Sequence, residues 1–198
     1  MPGPPSSPAL RARYDRRADE LVQAAAARFA RDGYDQTTMA DLAAALGIAA
    51  GGVYHYFGGK EALLQRICLQ LTESLHPRAL AALDGHDDPA DRLRALVGVW
   101  VAHVVEHRDH MLVFQQERHV IERGERWRAV RASRKRFEEL VDGVLAALED
   151  DSRARFADRR IALSALLGMV NHTALWFRPR GRLSAGEVAA GYAALLVA

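Results

Sequence analysis

Apolar residues recur every three or four positions along almost the whole chain, and almost no stretch alternates with a period of two. A spacing near 3.6 is that of an α-helix, so the sequence predicts an all-α protein. Glycine, proline and capping residues divide the pattern into about nine helices. The predicted helices span 16–32, a short helix that begins after 38, 49–56, 60–83, 93–104, 110–120, 127–148, 154–177 and a last helix that begins after 184.

Polar residues and one proline mark where several of these helices begin or end. Thr38 is a suitable N-cap for the second helix, and Asp41 adds a negative charge to its first turn. Ser184 and Glu187 have the spacing of a capping box at the start of the last helix. Pro77 is expected to bend or interrupt the far end of the fourth helix.

The segment over 37–60, TTMADLAAALGIAAGGVYHYFGGK, has the spacing of a helix-turn-helix. Ala43 is small enough to let two helices cross closely, Gly47 suits the turn, and Val53 places an apolar residue on the second helix. A unit of this kind favours DNA binding, with its second helix entering the major groove.

The composition is that of a globular protein, and its net charge is too small for nonspecific binding along nucleic acid. The 198 residues are 49% hydrophobic and 26% charged, with a net charge of +2. DNA binding must therefore rest on individually placed contacts. No apolar run has the length of a membrane span, and the first residues do not resemble a secretory signal. The single cysteine, Cys68, is expected to be a buried apolar residue, and we expect a cytoplasmic protein.

The recognition helix predicted here begins with Ala49-Ala50-Gly51-Gly52, which has almost no side-chain donors. These residues allow close backbone approach and contact with a thymine methyl, but no bidentate hydrogen bonding to a base. Other side chains of the unit can donate hydrogen bonds to phosphate. These are the side chains of Thr38, Tyr54, His55, Tyr56 and Lys60. Tyr54 or His55 is also placed to reach a base edge, whereas Phe57 is expected in the core.

The segment from Leu21 to Leu64 resembles the N-terminal domain of the TetR family of transcriptional repressors. The resemblance covers the phenylalanine and Gly-Tyr of the first helix, the Thr-Thr pair, the Ala…Gly turn, the Tyr-x-Tyr-Phe motif and Lys-Glu-x-Leu. It implies an all-helical homodimer whose subunits each carry a three-helix DNA-binding head and a C-terminal domain that binds a small ligand. The DNA contacts that it implies are Thr38, Ala49, Ala50, Gly51, Tyr54, His55, Tyr56 and Lys60.

The chain departs from the family at 49–53, where Ala-Ala-Gly-Gly-Val replaces the usual Ser-Lys-Gly/Ala-Ser/Thr-Leu. The chain therefore lacks the serine cap, the lysine and the hydroxyl that are usual there. The alternative function is that of a ligand-binding helical protein with a weakened or lost DNA-binding role. We still expect a repressor that binds a palindromic operator as a dimer and is released by a small-molecule effector.

The chain divides into three predicted regions. Residues 1–14 are proline-rich and then basic, and are expected to form a disordered arm. Residues 15–60 form the helix-turn-helix domain, and residues 61–198 form the ligand-binding and dimerisation domain. Four arginines in and after the arm either belong to a solvated tail or enter a minor groove, and they are Arg11, Arg13, Arg16 and Arg17.

Polar and aromatic residues interrupt the apolar helices of the C-terminal region, as expected of an apolar ligand cavity with a few polar groups. The candidate ligand-binding residues are Trp100, His103, Phe114, Arg131, Arg134, Asn171, His172 and Trp176. Each of them is alternatively a hydrogen-bonded core or surface residue.

The tail TALWFRPRGRLSAGEVAAGYAALL resembles the C-terminal end of TetR repressors that control fatty-acid or steroid breakdown and respond to acyl-CoA thioesters. The resemblance implies an apolar tunnel for the acyl group and cations at its mouth for the CoA phosphates. Candidate cations are Arg131, Arg134, Lys135 and Arg178. A solvated helix face is the alternative for the basic run over 131–136.

The helix over 161–177 is apolar nearly all round, which indicates burial on more than one side. With the last helix it is expected to form a four-helix bundle between two subunits, the alternative being a fully buried core helix.

No enzyme or metal site is predicted. The sequence has no nucleophile-elbow motif, nucleotide-binding glycine loop or zinc-like cysteine pairing, so we expect neither catalytic residues nor a cofactor. His103 and His107 lie four residues apart with His110 nearby, but we find no well-placed cysteine or carboxylate in the sequence to complete a metal site.

Overall fold

The computed structural model describes residues 7–197, except for the side chain of residue 50, and over that range it is built of α-helices. The all-α prediction is confirmed, with ten helices among the described residues. They are α1 (Pro8–Asp32), α2 (Met39–Ala45), α3 (Ala50–Tyr56), α4 (Lys60–Leu83), α5 (Pro89–Glu106), α6 (Arg108–Gln116), α7 (Arg118–Ile121), α8 (Arg128–Asp150), α9 (Arg159–Trp176) and α10 (Ala185–Ala194). A 3₁₀ turn over Glu125–Trp127 precedes α8.

Helices α1, α2 and α3 form an N-terminal head, and α4 leads from it into a body made of α5 to α10. Helix α4 packs against α1 in the head and against α5, α6 and α8 in the body. Its apolar stripe is buried along its length, at Leu63, Leu64, Ile67, Cys68, Leu71, Leu75, Ala79 and Leu83. Burial also raises the pKa of the Cys68 thiol to about 12, so this cysteine is an inert apolar residue, as predicted.

The prediction of a disordered arm is wrong for residues 8–14, because α1 begins at Pro8 and not near Arg16. Pro8 lies in the first turn of the helix, where the missing N–H breaks no hydrogen bond. The residues that follow it are Ala-Leu-Arg-Ala-Arg, all good helix formers. Residues 1–6 lie outside the described part of the chain.

Helix α4 spans Lys60–Leu83 as predicted, and the interruption expected at Pro77 does not occur, because Leu75 and Ala79 on either side of it are buried and their packing outweighs the lost hydrogen bond. Other helix bounds differ from the sequence prediction. The helix predicted over 110–120 is divided into α6 and α7. Helix α9 begins at Arg159 because the Asp158 carboxylate accepts from the backbone of its first turn.

Helix caps agree closely with the sequence. The Thr38 hydroxyl accepts from the Asp41 backbone N–H at 3.1 Å, and the Asp41 carboxylate accepts from the Thr38 N–H at 2.8 Å. Ser184 and Glu187 form the same reciprocal pair at the start of α10. Ala49, at the N-cap of α3, supplies no side-chain acceptor.

Replacing Ala49 with serine is expected to raise the free energy of unfolding by about 1 kcal/mol. The residue is exposed and has an extended N-cap backbone, at φ −62° and ψ 147°, so a serine hydroxyl can accept from the first turn of α3. Denaturant unfolding measures the change. Thr38→Ala is the control in the opposite direction, since it removes an existing cap and should lower the free energy of unfolding. A loss of stability in Ala49→Ser would contradict the assignment of Ala49 as the uncapped N-cap of α3.

Two buried histidines make stability depend on pH. Burial, with a smaller contribution in the same direction from the neighbouring His107, lowers the pKa of His103 and of His110 to about 4. The unfolded chain therefore binds protons between about pH 6.5 and 4 that the folded chain does not. Stability is expected to be complete above about pH 6.5 and to fall by about 3 kcal/mol per histidine as the pH drops to about 4.

Denaturant unfolding of His110→Leu across this range isolates one of the two contributions. His110 Nε2 has no hydrogen-bond partner among residues 7–197, so leucine breaks no bond and should weaken the pH dependence by about half. His86→Gln, at an exposed loop position, should leave it unchanged. Equal stability of the unmodified protein at about pH 6.5 and about pH 4.5 would contradict the prediction.

Candidate functional site

Helices α2 and α3 of the head form the predicted helix-turn-helix. Gly47, between them, has a φ of +62°, which favours glycine, as the sequence predicted for the turn. Ala43 and Val53 are buried and hold the two helices together. Phe57 is buried as well, as predicted. The opposite face of α3 is left open to solvent.

The solvent face of α3 carries several of the residues predicted to contact DNA. Tyr54 is 50% exposed, and His55 is exposed beside it. A Cβ atom added at Gly51 would meet no other atom within 4 Å, so another molecule can approach the backbone there. Tyr56 is half-buried, because its ring packs against Tyr14 of α1 at 4.6 Å between centroids. Ala49 is exposed, and the side chain of residue 50 is outside the described atoms.

Thr38 and Lys60, at the edges of the unit, are held by local contacts. The Thr38 hydroxyl and backbone N–H both donate to the Asp41 carboxylate, so neither is free in this structure. Lys60 Nζ donates to the Asp35 carbonyl at 3.2 Å and lies 4.3 Å from the centre of the Tyr34 ring. Lys60 therefore ties the loop before α2 to the start of α4.

A small cavity of about 60 Å³ lies inside the body. Its walls come from α4, α5, α6, α8 and α9 and are mainly apolar, with Trp100 packed edge-to-face on Phe137 at 4.8 Å. The residues around it are Leu71, Thr72, Leu75, Trp100, His103, Met111, Phe114, Arg134, Phe137, Glu138, Leu167 and Asn171. This arrangement is an apolar interior with a polar edge.

The polar edge continues into an outer groove of about 410 Å³, since Phe114, Arg134, Glu138, Leu167 and Asn171 border both spaces. The groove is otherwise lined by Gln115, Arg118, Ser164, Gly168 and His172. The cavity and groove together thus run from the buried body to the surface.

Charged groups at the groove are paired. Arg134 donates to Glu122 at 2.7 Å and lies 3.2 Å from Glu138, and Arg118 lies 3.5 Å from Glu122. The guanidinium of Arg134 holds the pKa of the Glu122 carboxyl below its usual range. The mouth therefore presents two guanidinium groups that share one carboxylate.

Six of the eight candidate ligand residues border the cavity or groove, and these are Trp100, His103, Phe114, Arg134, Asn171 and His172. The structure does not bring Arg131 and Trp176 to them. Arg131 donates to the carbonyls of Ile121 and Gly124, where it closes the turn after α7. Trp176 is 43% exposed near the end of α9.

Among the predicted phosphate-binding cations, Lys135 and Arg178 also lie away from the groove lining. Lys135 is exposed and pairs with Glu139 on α8, and Arg178 is exposed after α9. Arg118 is the groove cation that the candidate residues omitted. Its position four residues after Phe114 was the available signal, because in the single helix predicted over 110–120 residues spaced by four share a face.

Three histidines lie close together where α5 meets α6, at His103, His107 and His110. The absence of a well-placed carboxylate, expected from the sequence, is wrong, because Glu106 and His107 offer ligand atoms within 4.8 Å of one another and of His103. Glu106 is three residues after His103, which places it on the same face of α5. A metal is disfavoured by Arg78, whose guanidinium lies 3.3 Å from His103 Nδ1 and 2.7 Å from the Glu106 carboxylate.

Helices α9 and α10 expose an apolar face on the outside of the body. From residue 162 to residue 176, α9 has no charged residue. Ile161, Leu175 and Trp176 of α9 and Leu195 after α10 are 69%, 50%, 43% and 60% exposed. Exposed large apolar residues in such a group indicate an interaction surface. Within the described residues, no helix has the length and apolar character needed to cross a membrane.

Two family models match the chain. Residues 21–67 match the model of bacterial regulatory proteins of the tetR family, and residues 86–198 match the C-terminal domain of the tetracyclin repressor-like type. The first match contains the helix-turn-helix, and the second contains most of the cavity wall.

Similar proteins extend this comparison over nearly the whole chain. The HTH-type transcriptional repressor KstR2 of Mycolicibacterium smegmatis is 28% identical over 200 residues, covering 99% of this chain and 93% of that protein. The TetR family transcriptional regulator PfmR from Thermus thermophilus superposes with a TM-score of 0.80 at 32% identity, covering 89% and 96% of the two chains. AibR, solved in complex with isovaleryl coenzyme A and operator DNA, gives a TM-score of 0.79 at 25% identity, with 91% and 98% covered.

The head, the body and the helix that joins them thus have the form of one known group of regulators. Because the C-terminal model alone spans more than half of the chain and PfmR is similar across most of both chains, this protein belongs to the TetR family of bacterial transcriptional regulators.

Proposed function

We propose that this protein is a dimeric transcriptional repressor that binds a near-palindromic operator and is released from it by an acyl-CoA thioester. The observation that carries the proposal is the pairing of an exposed recognition helix with an apolar cavity whose mouth bears arginines. AibR, a similar structure, was solved with isovaleryl coenzyme A and operator DNA together.

In this proposal α3 lies in the major groove with its N-terminus inward. Gly51 permits the helix backbone to approach the bases closely, and Tyr54 and His55 are exposed on the same helix for contact with phosphate or a base edge. Lys60 has one of its three N–H groups engaged and keeps two for a phosphate. Thr38 contacts DNA only if its hydroxyl leaves Asp41.

Dimerisation would use the apolar face of α9 and α10. From residue 161 onwards, the exposed residues of α9 recur at 161, 164, 165, 168, 172, 175 and 176, which is one stripe along the helix. Ser164, Gly168 and His172 of this stripe also line the outer groove, so the partner subunit would lie beside the mouth of the groove. Burying it against a second copy removes exposed apolar surface such as Ile161 and Trp176 from water. A two-fold axis there presents two heads to two operator half-sites.

The effector would place its acyl group in the cavity and its phosphates at the groove. Apolar walls suit an acyl chain, and the guanidinium groups of Arg118 and Arg134 suit phosphate oxygens. Phosphate would then compete with Glu122 for both arginines. An acyl chain needs more than about 60 Å³, so its entry must move the cavity walls.

Movement of α4 would couple the two sites. Leu71 and Leu75 of α4 border the cavity, and the first residue of the same helix, Lys60, holds the loop before α2. An effector that binds better to an expanded cavity favours another position of the heads and so weakens operator binding. Such a protein regulates rather than catalyses, and we place it in the cytoplasm with the chromosome.

Tyr54→Ala is expected to lower the affinity for an operator at least tenfold, since it removes the exposed tyrosine side chain that would contact DNA in the major groove. The operator is first selected from a random duplex library with the unmodified protein, and binding is measured by gel shift at moderate salt. Leu80→Ala, at an equally exposed position on α4, is the control and should bind normally. Failure of the unmodified protein to select any sequence, with acyl-CoA still bound, would favour the ligand-binding protein without a DNA role.

Arg118→Gln is expected to raise the dissociation constant for acyl-CoA thioesters about tenfold or more, as loss of a charged hydrogen bond does. The side chain is 70% exposed, so the substitution should not affect folding. Calorimetric titration with a series of acyl-CoAs measures binding, and Lys135→Gln is the matched control because that lysine lies away from the groove. Equal affinities of the Arg118 variant and the control would contradict the predicted phosphate site.

A further inference from the structure

Tyr14, in the second turn of α1, contacts the end of the recognition helix. The Tyr14 ring is 4.6 Å from that of Tyr56 and 5.9 Å from that of His55, centroid to centroid. His55 and Tyr56 are the last two residues of α3. The start of α1 is thus fixed to the end of α3, although the sequence alone predicted a disordered arm there.

A wide cleft of about 960 Å³ opens between these two elements. The residues that line it on α1 recur at 9, 10, 13, 14, 16, 17 and 20, which is one face of the helix, and Tyr56 lines the opposite side. Arg13, Arg16 and Arg17 are the cations on this face, and Glu20 is the one carboxylate among the lining residues.

The arginines of this region differ in their partners. Arg11 pairs with Asp15 at 3.7 Å, and Arg17 pairs with Glu20 at 2.7 Å. Arg13 and Arg16 are exposed and form no ion pair with any other residue in the range 7–197. Two guanidinium groups therefore face the cleft without a carboxylate to neutralise them.

Distance decides what these arginines can reach when α3 is in the groove. Helix α3 has seven residues, so its two ends lie roughly 10 Å apart. The major groove is about 12 Å wide, which puts the end of α3 near the phosphates when its start faces the bases. Tyr14 holds α1 at that end.

We propose that the start of α1 is a second DNA-binding element, in which Arg13 and Arg16 bind the phosphodiester backbone beside the groove that α3 enters. The inference rests on the proposed function and extends it to named residues outside the helix-turn-helix. Guanidinium binds phosphate oxygens through two parallel hydrogen bonds. These contacts supply affinity that the Ala-Ala-Gly-Gly start of the recognition helix lacks, and they add no base readout.

The test is the salt dependence of operator binding by the double variant Arg13→Gln/Arg16→Gln. The probe is the duplex selected by the unmodified protein, with about eight or more flanking base pairs on each side, and affinity is measured at several salt concentrations. Each phosphate contact contributes about 0.9 to the slope of log K against log salt. Two contacts in each of two heads predict a slope shallower by about 3 to 4 and an affinity at least tenfold lower at moderate salt.

Arg11→Gln is the matched control, since Arg11 is close by but pairs with Asp15 and does not line the cleft. It should change the slope by less than one. Thermal unfolding midpoints of all three proteins should agree, because the substituted side chains are exposed. A truncated duplex without the flanks should bind the unmodified protein and the double variant equally.

Two results would overturn the inference. An unchanged slope in the double variant, in a protein that loses binding through Tyr54→Ala, would leave the helix-turn-helix as the DNA contact and remove α1 from it. A loss of affinity that depends on the flanking base sequence would mean groove reading in place of backbone binding. Absence of any complex with the unmodified protein would instead defeat the proposed function itself, and this inference with it.

Discussion

The burial of α4 between the head and the body is the interaction on which the other features depend. One apolar stripe of this helix packs against α1 near the DNA-binding unit and against α5 and α8 around the cavity. A helix of 24 residues is about 36 Å long and therefore reaches from the head to the cavity. The ion pair of Arg126 with Glu61 and the hydrogen bond from Gln65 to the Arg126 carbonyl hold the start of this helix to the body.

Local rules were enough to predict most of the secondary structure. The bounds of α4 and the two capping boxes follow from residue types at fixed spacing, and such effects do not require knowledge of the rest of the fold. The start of α1 was missed because it depends on a contact between residues that are far apart in the sequence. Its first turns are stabilised by contact of Tyr14 with Tyr56, which is far away along the chain, and proline-rich composition at the terminus concealed it.

Cavity residues were predicted less completely, because lining a cavity depends on which way each helix faces. The pattern of polar residues within apolar helices singled out His103 and Asn171, and both border the same cavity. Arg131 has the same local pattern as Arg134 but lies one turn earlier in α8, where two backbone carbonyls accept from it. The sequence of α8 alone does not indicate that acceptors on another turn of the chain will bind Arg131.

The small volume of the cavity has a consequence for pharmacology. Under the proposed mechanism, a compound small enough to enter the cavity without moving its walls would leave α4 in place, and would occupy the site without releasing the operator. A larger compound must spend part of its binding free energy on expansion, so the best inducers need not be the tightest binders. Blockers and inducers of this receptor would then differ in size more than in chemistry.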